Sequence, residues 1–494
     1  MTLKRIRLLA PTAALALLVV AAPVVTAESL DDKIKILEQE LMELKAEQEQ
    51  VKAEQIEMKK DATAAAAALP TFDYRPGRGM TITAADKSWA FNLSSQFHLR
   101  LYNYIDGNDA DGATTGKLFG RRMTLFPTFC WDNCFYTFNL WIDMDQNNIP
   151  LELQRAQLDF DFSQWNPFFP LLRTGLDVAA KKGHSVSSSS SARWERNAVN
   201  DGDSISVTGS HQGVGLVWDG VPIGIGRWDL ETHLVTGRLT AGDSGTTNSD
   251  RMSFIGYAGA RPFANIKNKF LTSLELRAEL QAENADGRPG VAALTGDAGG
   301  TGYRRLRLRA DERLGRFTFI DTGNNAIGEG LHYFFQPALL WRVGPYNFNG
   351  VLPISRWEGK DDGFRGVKAD GFVLANELYL WSPKGPLTGS ATTPGSVLLG
   401  WAFSRYNMEC GTGSDCSPGA GAFSRIHVLQ RETNLWYTVR AGFRLGLQWN
   451  WWESSNTPVG TQRAIGCTKN RANATDPGKD CDYHTVNATM AFNW

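Results

Sequence analysis

The 494 residues carry 51 Lys and Arg against 52 Asp and Glu, a formal net charge of −1 that gives no bulk attraction to nucleic acid. Glycine (49), tryptophan (16) and an aromatic share of 11% are high, and mean hydropathy is only -0.28. Beyond the first stretch no apolar run reaches the roughly 18 positions a spanning helix needs, so a membrane role requires strands.

In chain order, Lys4, Arg5 and Arg7 precede an apolar run from Leu8 to Val20, and small residues lead to Val25-Thr26-Ala27. This reads as an export signal over residues 1–27, with cleavage after Ala27. Residues 28–61 follow as a helical arm. Leu30, Ile34, Leu37, Leu41, Leu44, Val51 and Met58 alternate at spacings of four and three, with Gln48 and Gln55 in the missing slots. That is a heptad seam, and intervening Glu, Lys and Gln solvate the other faces. Self-association into a coiled coil covers such a stripe. A single amphipathic helix lying on a surface is the alternative, since the seam is short and turns polar. Ala64 to Ala68 and Leu69-Pro70 mark the end of the arm, and residues 62–88 read as a linker.

From Trp89 onward the period changes from seven to two. Phe91, Leu93, Phe97, Leu99 and Leu101 oppose Asn92, Ser94, Gln96, His98 and Arg100. The alternation returns over 155–162, over 272–281, and over 439–450, where Val439, Phe443, Leu445, Leu447 and Trp449 oppose Arg440, Arg444, Gln448 and Asn450. The polar faces hold whole charges along strands of spanning length, which suits water inside and lipid outside rather than a soluble sandwich. The expected fold is all-β: a transmembrane antiparallel β-barrel over 89–494, with about 16 strands at about 25 residues per strand and connection, preceded by the coiled-coil helix. The chain closes on an alternating strand from Val486 to Trp494.

Six cysteines in an exported chain are disulfide candidates. Cys130 and Cys134 flank a three-residue turn, while Cys410 and Cys416, and Cys467 and Cys481, sit in Gly-, Ser-, Asn- and Asp-rich segments. Neighbour pairing is one arrangement among several. A metal site is disfavoured by the lack of CxxC and of His near the first two pairs, and no cofactor motif occurs. Asp106 to Gly112 breaks the calcium-loop spacing at Ala110 and reads as a turn. No GxSxG, HExxH or compact Ser/His/Asp spacing accompanies the seven histidines, so no enzyme is expected.

Several pieces in order resemble one family: Gly120-Arg121-Arg122, Leu172-Arg173-Thr174-Gly175, Trp194-Glu195-Arg196, Gly213-Val214-Gly215-Leu216, Gly371-Phe372-Val373-Leu374-Ala375, Trp401-Ala402-Phe403-Ser404-Arg405-Tyr406, and Asn434-Leu435-Trp436-Tyr437 followed by Arg444. They resemble the phosphate-selective porins, the O and P type. That resemblance implies a 16-stranded homotrimeric channel of the bacterial outer membrane, with a long loop folded into the lumen and basic side chains at its narrowest part. Carried onto this chain, the anion-binding candidates are Arg121, Arg122, Arg173, Lys181, Lys182, Arg193 and Arg196. Arg305, Arg307 and Arg309, repeating at period two, add a basic stripe. For each arginine the alternative is a wall salt bridge with carboxylates such as Asp159, Asp161, Glu275 or Glu279.

The chain departs from the family at Leu176-Asp177-Val178, where members carry a Pro-Phe turn, and at His211-Gln212; its loop holds the polar tract Ser187 to Ser191. The expected function is passive diffusion of small anions, phosphate among them, and the alternative is a general porin for small polar solutes. Expected partners are the lipid bilayer, small anions, two further copies of the chain and, through a periplasmic arm, the cell wall.

Overall fold

A computed structural model describes residues 30–76, 78–104, 117–143, 152–176, 211–238, 252–285, 307–309, 318–321, 330–357, 367–390, 392–410, 425–455 and 481–493. The chain divides into two compact units, one ending at Leu69 and the other beginning at Pro70.

The described part of the first unit is one helix, α1 (Leu30–Ala68). Ala, Glu, Lys, Gln and Leu, all strong helix formers, fill it without an interior Gly or Pro. Ile34, Leu37, Leu41, Leu44, Val51 and Met58, the residues of the heptad seam, are exposed.

In the second unit β1 (Thr71–Arg75) and β2 (Gly79–Thr83) form a hairpin. Then come β3 (Trp89–Tyr104), β4 (Lys117–Trp131), β5 (Tyr136–Asp143), β6 (Glu152–Asp161), β7 (Leu171–Leu176), β8 (His211–Ile223), β9 (Gly226–Arg238), β10 (Met252–Arg261) and β11 (Glu275–Ala285). A separate ribbon pairs β12 (Arg307–Arg309) with β13 (Thr318–Asp321). The main sheet resumes with β14 (Gly330–Val343), β15 (Tyr346–Val351), β16 (Ile354–Trp357), β17 (Val367–Ser382), the short β18 (Gly385–Pro386), β19 (Val397–Cys410), β20 (Arg425–Arg440), β21 (Phe443–Ser455) and β22 (Cys481–Asn493).

Each barrel strand pairs antiparallel with its neighbours, and β22 closes on β3 from Thr485↔Tyr104 to Asn493↔Gln96. The result is a closed transmembrane barrel of 16 strands, counting β15 and β16 as one interrupted strand. The interruption lies at Leu352-Pro353, where proline has no N–H for the ladder. Hydrogen bonds from Leu352 N to Pro337 O (3.0 Å) and Gly371 N to Pro353 O (3.0 Å) carry the pairing past it.

Short connections gather at one end. In the turn after β4, Asp132 and Asn133 take φ near 53°, a left-handed conformation these side chains tolerate, and a Cys130–Cys134 disulfide closes the turn. Trp218 Nε1 donates to Phe168 O (3.0 Å), and Trp341 Nε1 donates to Phe270 O (2.8 Å). Both phenylalanines sit in turns opened by an asparagine: Phe168 N donates to Asn166 Oδ1 and Phe270 N to Asn268 Oδ1. Two indoles at the end of the outer wall are thus fastened to the turns by the same device.

Burial is inverted relative to a water-soluble protein. Along β21 Arg444, Gln448 and Asn450 are buried, while Leu445, Leu447 and Trp449 are exposed. Along β9 Asp229, Glu231 and His233 are buried and Leu234 is exposed; along β11 Glu279 and Gln281 are buried and Leu276 and Leu280 exposed. Apolar side chains of this size gain about 1.5–3 kcal/mol each on leaving water, which lipid around the wall supplies.

Several sequence expectations shift. The stretch read as a linker over 62–88 contains the last turns of α1 and the β1–β2 hairpin, whose β2 pairs with β3 from Met80↔Leu93 to Thr83↔Ala90. The strand expected over 439–450 is two strands joined at Ala441-Gly442. A two-residue turn would normally shift the inside/outside phase. Here the register slips between Thr438 and Arg440, and this extra residue restores the phase, so one alternation runs through the reversal. The strand expected over 272–281 begins only at Glu275, because Leu271 N and Thr272 N turn back onto Asn268 O. Phe162, expected in a strand, opens a 3-10 turn capped by Asp161.

Candidate channel lumen

The inner wall is built from the alternate residues that the outer wall leaves facing inward. Across β4 to β7, Thr128 Oγ1 donates to Asn139 Oδ1 (3.1 Å), Asn139 Nδ2 to Asp159 Oδ2 (3.5 Å), and Arg173 grips Asp159 with Nε–Oδ1 at 2.8 Å and Nη2–Oδ2 at 3.0 Å. Arg173 and Asp159 stand directly opposite in register, and each is nearly inaccessible. A forked, buried pair of this kind positions a guanidinium firmly. Nη1 of Arg173 has no hydrogen-bond partner among the described residues. Higher on the same inner face Arg155 lies over the Trp141 ring at 5.1 Å, and Phe126 meets Trp141 at 5.4 Å between ring centroids.

On β9 to β11 the wall is richer in carboxylates. His233 Nε2 meets Glu231 Oε2 at 3.2 Å, Asp229 Oδ1 accepts from Gly220 N at 2.6 Å, and Arg277 Nε meets Glu275 Oε1 at 2.7 Å. Across β19 to β22 the lining is mainly amide: Ser404, Gln430, Asn450, Gln448 and Thr485 are linked by hydrogen bonds of 3.2 to 3.5 Å. Near the short-turn end Arg444 Nη2 donates to Tyr379 Oη (3.0 Å), beside a patch of Tyr379, Leu398, Trp436 and Ala491.

The sequence candidates distribute unevenly over this wall. Arg173 is on it, held by Asp159. Arg122 stands opposite His98, and Arg121 is the extra residue where the register slips between His98 and Leu99. Arg307 and Arg309 belong to the β12–β13 ribbon, opposite Asp321 and Thr318, and not to a barrel strand. Lys181, Lys182, Arg193, Arg196 and Arg305 lie outside the described residues, as do Cys416 and Cys467; Cys410 ends β19 and Cys481 begins β22. No grouping of three or more His, Cys, Asp or Glu suited to a metal ion occurs among the described residues.

From the sequence Asp159, Glu275 and Glu279 were expected on the wall, but not Glu231, Tyr257 or Gln336. The signal for Glu231 was present, since Asp229, Glu231 and His233 recur at period two. Tyr257 and Gln336 sit in strands with mixed or apolar neighbours, and only the register brings them beside carboxylates.

No family model matches the sequence, and no curated protein matches it. Solved structures that are similar include OmpT, an outer membrane protein of Vibrio cholerae, in a trimer form (8% identity, 82% of this chain and 100% of that one, TM-score 0.49). The outer membrane channel DcaP of Acinetobacter baumannii aligns at 12% identity over 82% of this chain and 98% of that one, with a TM-score of 0.48. An anion-selective porin from Comamonas acidovorans aligns at 10% identity over 82% of this chain and all 100% of that one, with a TM-score of 0.48.

Proposed function

We propose that the chain is an outer-membrane porin: a passive channel for small anions, exported by residues 1–27, assembled as a homotrimer, and carrying α1 into the periplasm as a coiled coil that contacts the cell wall. The observation that carries this reading is the inverted amphipathicity of a closed barrel, with Leu, Phe and Trp exposed outside and Arg, Glu, Gln and Asn turned inward. A preference for anions, phosphate included, would come from Arg121, Arg122, Lys181, Lys182, Arg193 and Arg196, because forked or clustered cations replace part of the hydration of an oxyanion.

The alternative, a general porin, is favoured by one observation: the described inner wall mixes Asp159, Glu231, Glu275 and Glu279 with Arg155, Arg173 and Arg277, so it is not uniformly basic. Reversal potentials of the full-length protein in planar bilayers under a KCl gradient separate the two. Anion preference that inverts in a Lys181→Glu/Lys182→Glu variant supports the first reading. A potential near zero, unchanged by the variant, supports the second, and absence of conductance defeats both.

A further inference from the structure

Across β3 to β6 the described inner wall is open to contact. Gln96, Phe126, Thr128, Asn139, Trp141 and Arg155 are partly exposed there, whereas Gln430, Asn450 and Asn487 on β20 to β22 are at most 1% exposed. A solute crossing the barrel can therefore touch the β3–β6 wall, and two of the groups it meets are aromatic. Phe126 faces inward with Thr124 and Thr128, its neighbours at period two, which stand opposite Gln96 and Asn92 as Phe126 stands opposite Ser94. The register that joins Leu125 to Ile142 and Thr128 to Asn139 sets Phe126 beside Trp141, and Trp141 pairs with Arg155. The two rings lie 5.4 Å apart at 51°, and the Arg155 guanidinium lies over Trp141 at 5.1 Å.

Aromatic carbon facing a wet lumen is costly unless something apolar covers it in turn, and amides or hydroxyls like those around it would be hydrated at no such cost. Inorganic phosphate has no surface to match the rings. A solute with a flat apolar face has one, and it gains by stacking there. We infer that Phe126 and Trp141 form a stacking site for anions that carry an aromatic ring, with the carboxylate of such a solute turned towards Arg155. The inference rests on the channel reading above and narrows its small anions to one class. Arg155 has other partners as well, so the rings, and not an unclaimed charge, carry the argument; the five donors of a guanidinium let it share a carboxylate while keeping wall contacts. Moderate strength is required, because a conducting site must also release.

The test reads the KCl conductance of the full-length protein in planar bilayers as benzoate or acetate is added. The two probes share a carboxylate and differ in the ring. Benzoate is expected to halve the current at about one tenth of the acetate concentration, the effect of one or two aromatic contacts. Trp141→Phe, which keeps an aromatic face, should preserve that difference, and Phe126→Ser/Trp141→Gln should bring the two probes level. Folding of each variant is read from unheated gel mobility, and if the double variant does not fold, Trp141→Gln alone should remove most of the difference. Equal block by both probes in the wild type, or a difference that persists in the folded ring-deleted variants, overturns the site. A wild-type protein that conducts no ions overturns the channel reading beneath it, and the site with it.

Discussion

Gly215 and His233 show how closely single residues are fitted on the inner wall. They stand opposite in register, and a Cβ built on Gly215 would lie 1.9 Å from His233 Nδ1 and 2.6 Å from Cε1. Only glycine lets the ring lie flat there and reach Glu231. Gly215→Ala should cost about 1–3 kcal/mol of stability through overpacking. The loss is read as a lower urea midpoint in lipid vesicles and should shrink in a His233→Ala background. The Arg173–Asp159 pair makes a second residue-scale prediction. Arg173→Met leaves a buried carboxylate without its cation and should destabilise by about 3–5 kcal/mol, while Arg173→Met/Asp159→Leu should recover most of that. A double-mutant cycle on unfolding midpoints measures the difference.

Outside the barrel wall, Asp86 accepts from Ser88 Oγ at 2.6 Å and Ser88 N at 2.9 Å, which holds its carboxyl below the usual carboxylate range. A depressed folded-state value means the turn's added stability is complete above the ordinary carboxylate range and is lost as pH falls through the lowered value. The amide protection factor at Ser88, taken relative to intrinsic exchange at each pH, should therefore be high near neutrality and fall in strong acid. Ser88→Ala should start that fall at a higher pH.

At the scale of elements, the two Trp-to-Phe carbonyl clamps join separate turns to the strands beside them. Trp218→Phe and Trp341→Phe keep the aromatic bulk and delete the N–H, so each should cost about 0.5–1.5 kcal/mol. The two costs should add, because the sites share no partner; thermal gel-shift midpoints of the single and double variants check this. Helix α1 poses the opposite problem, an element whose apolar seam no described residue of its own unit covers. If copies of the chain cover it, Leu37→Asn/Leu44→Asn should abolish cross-linking through the arm while leaving the barrel's heat-resistant gel band intact.

At the scale of the whole molecule, the inversion of inside and outside governs what substitutions cost. Leu447 and Gln448 are neighbours in sequence, yet the first is exposed and the second buried. Leu447→Arg should destabilise by about 2–4 kcal/mol if it lies near the bilayer midplane, whereas Gln448→Arg should be tolerated and change ion preference instead. Folding titrations into vesicles and reversal potentials measure the two effects separately.

How much of this was legible beforehand follows from the range of each interaction. Alternation at period two is local, so the strand cores at 91–101, 155–161 and 443–450, the polarity of each face and the helical seam from Leu30 to Met58 could all be read along the chain. Strand ends could not be read locally. The reversal at Ala441-Gly442 is invisible because an extra residue preserves the phase, and the start of β11 depends on backbone bonds to Asn268. Which charges meet lay further out of reach. That Arg173 grips Asp159 fourteen positions away, that Glu231, Tyr257, Glu279 and Gln336 form one row, and that Arg307 and Arg309 leave the barrel for a separate ribbon all follow from strand register. Amphipathic period is a property of neighbours in sequence, so the chain itself determined an inside-out barrel with a helical arm. Register is a property of strands paired across tens of residues, so only the closed barrel decided which polar groups share the lumen wall.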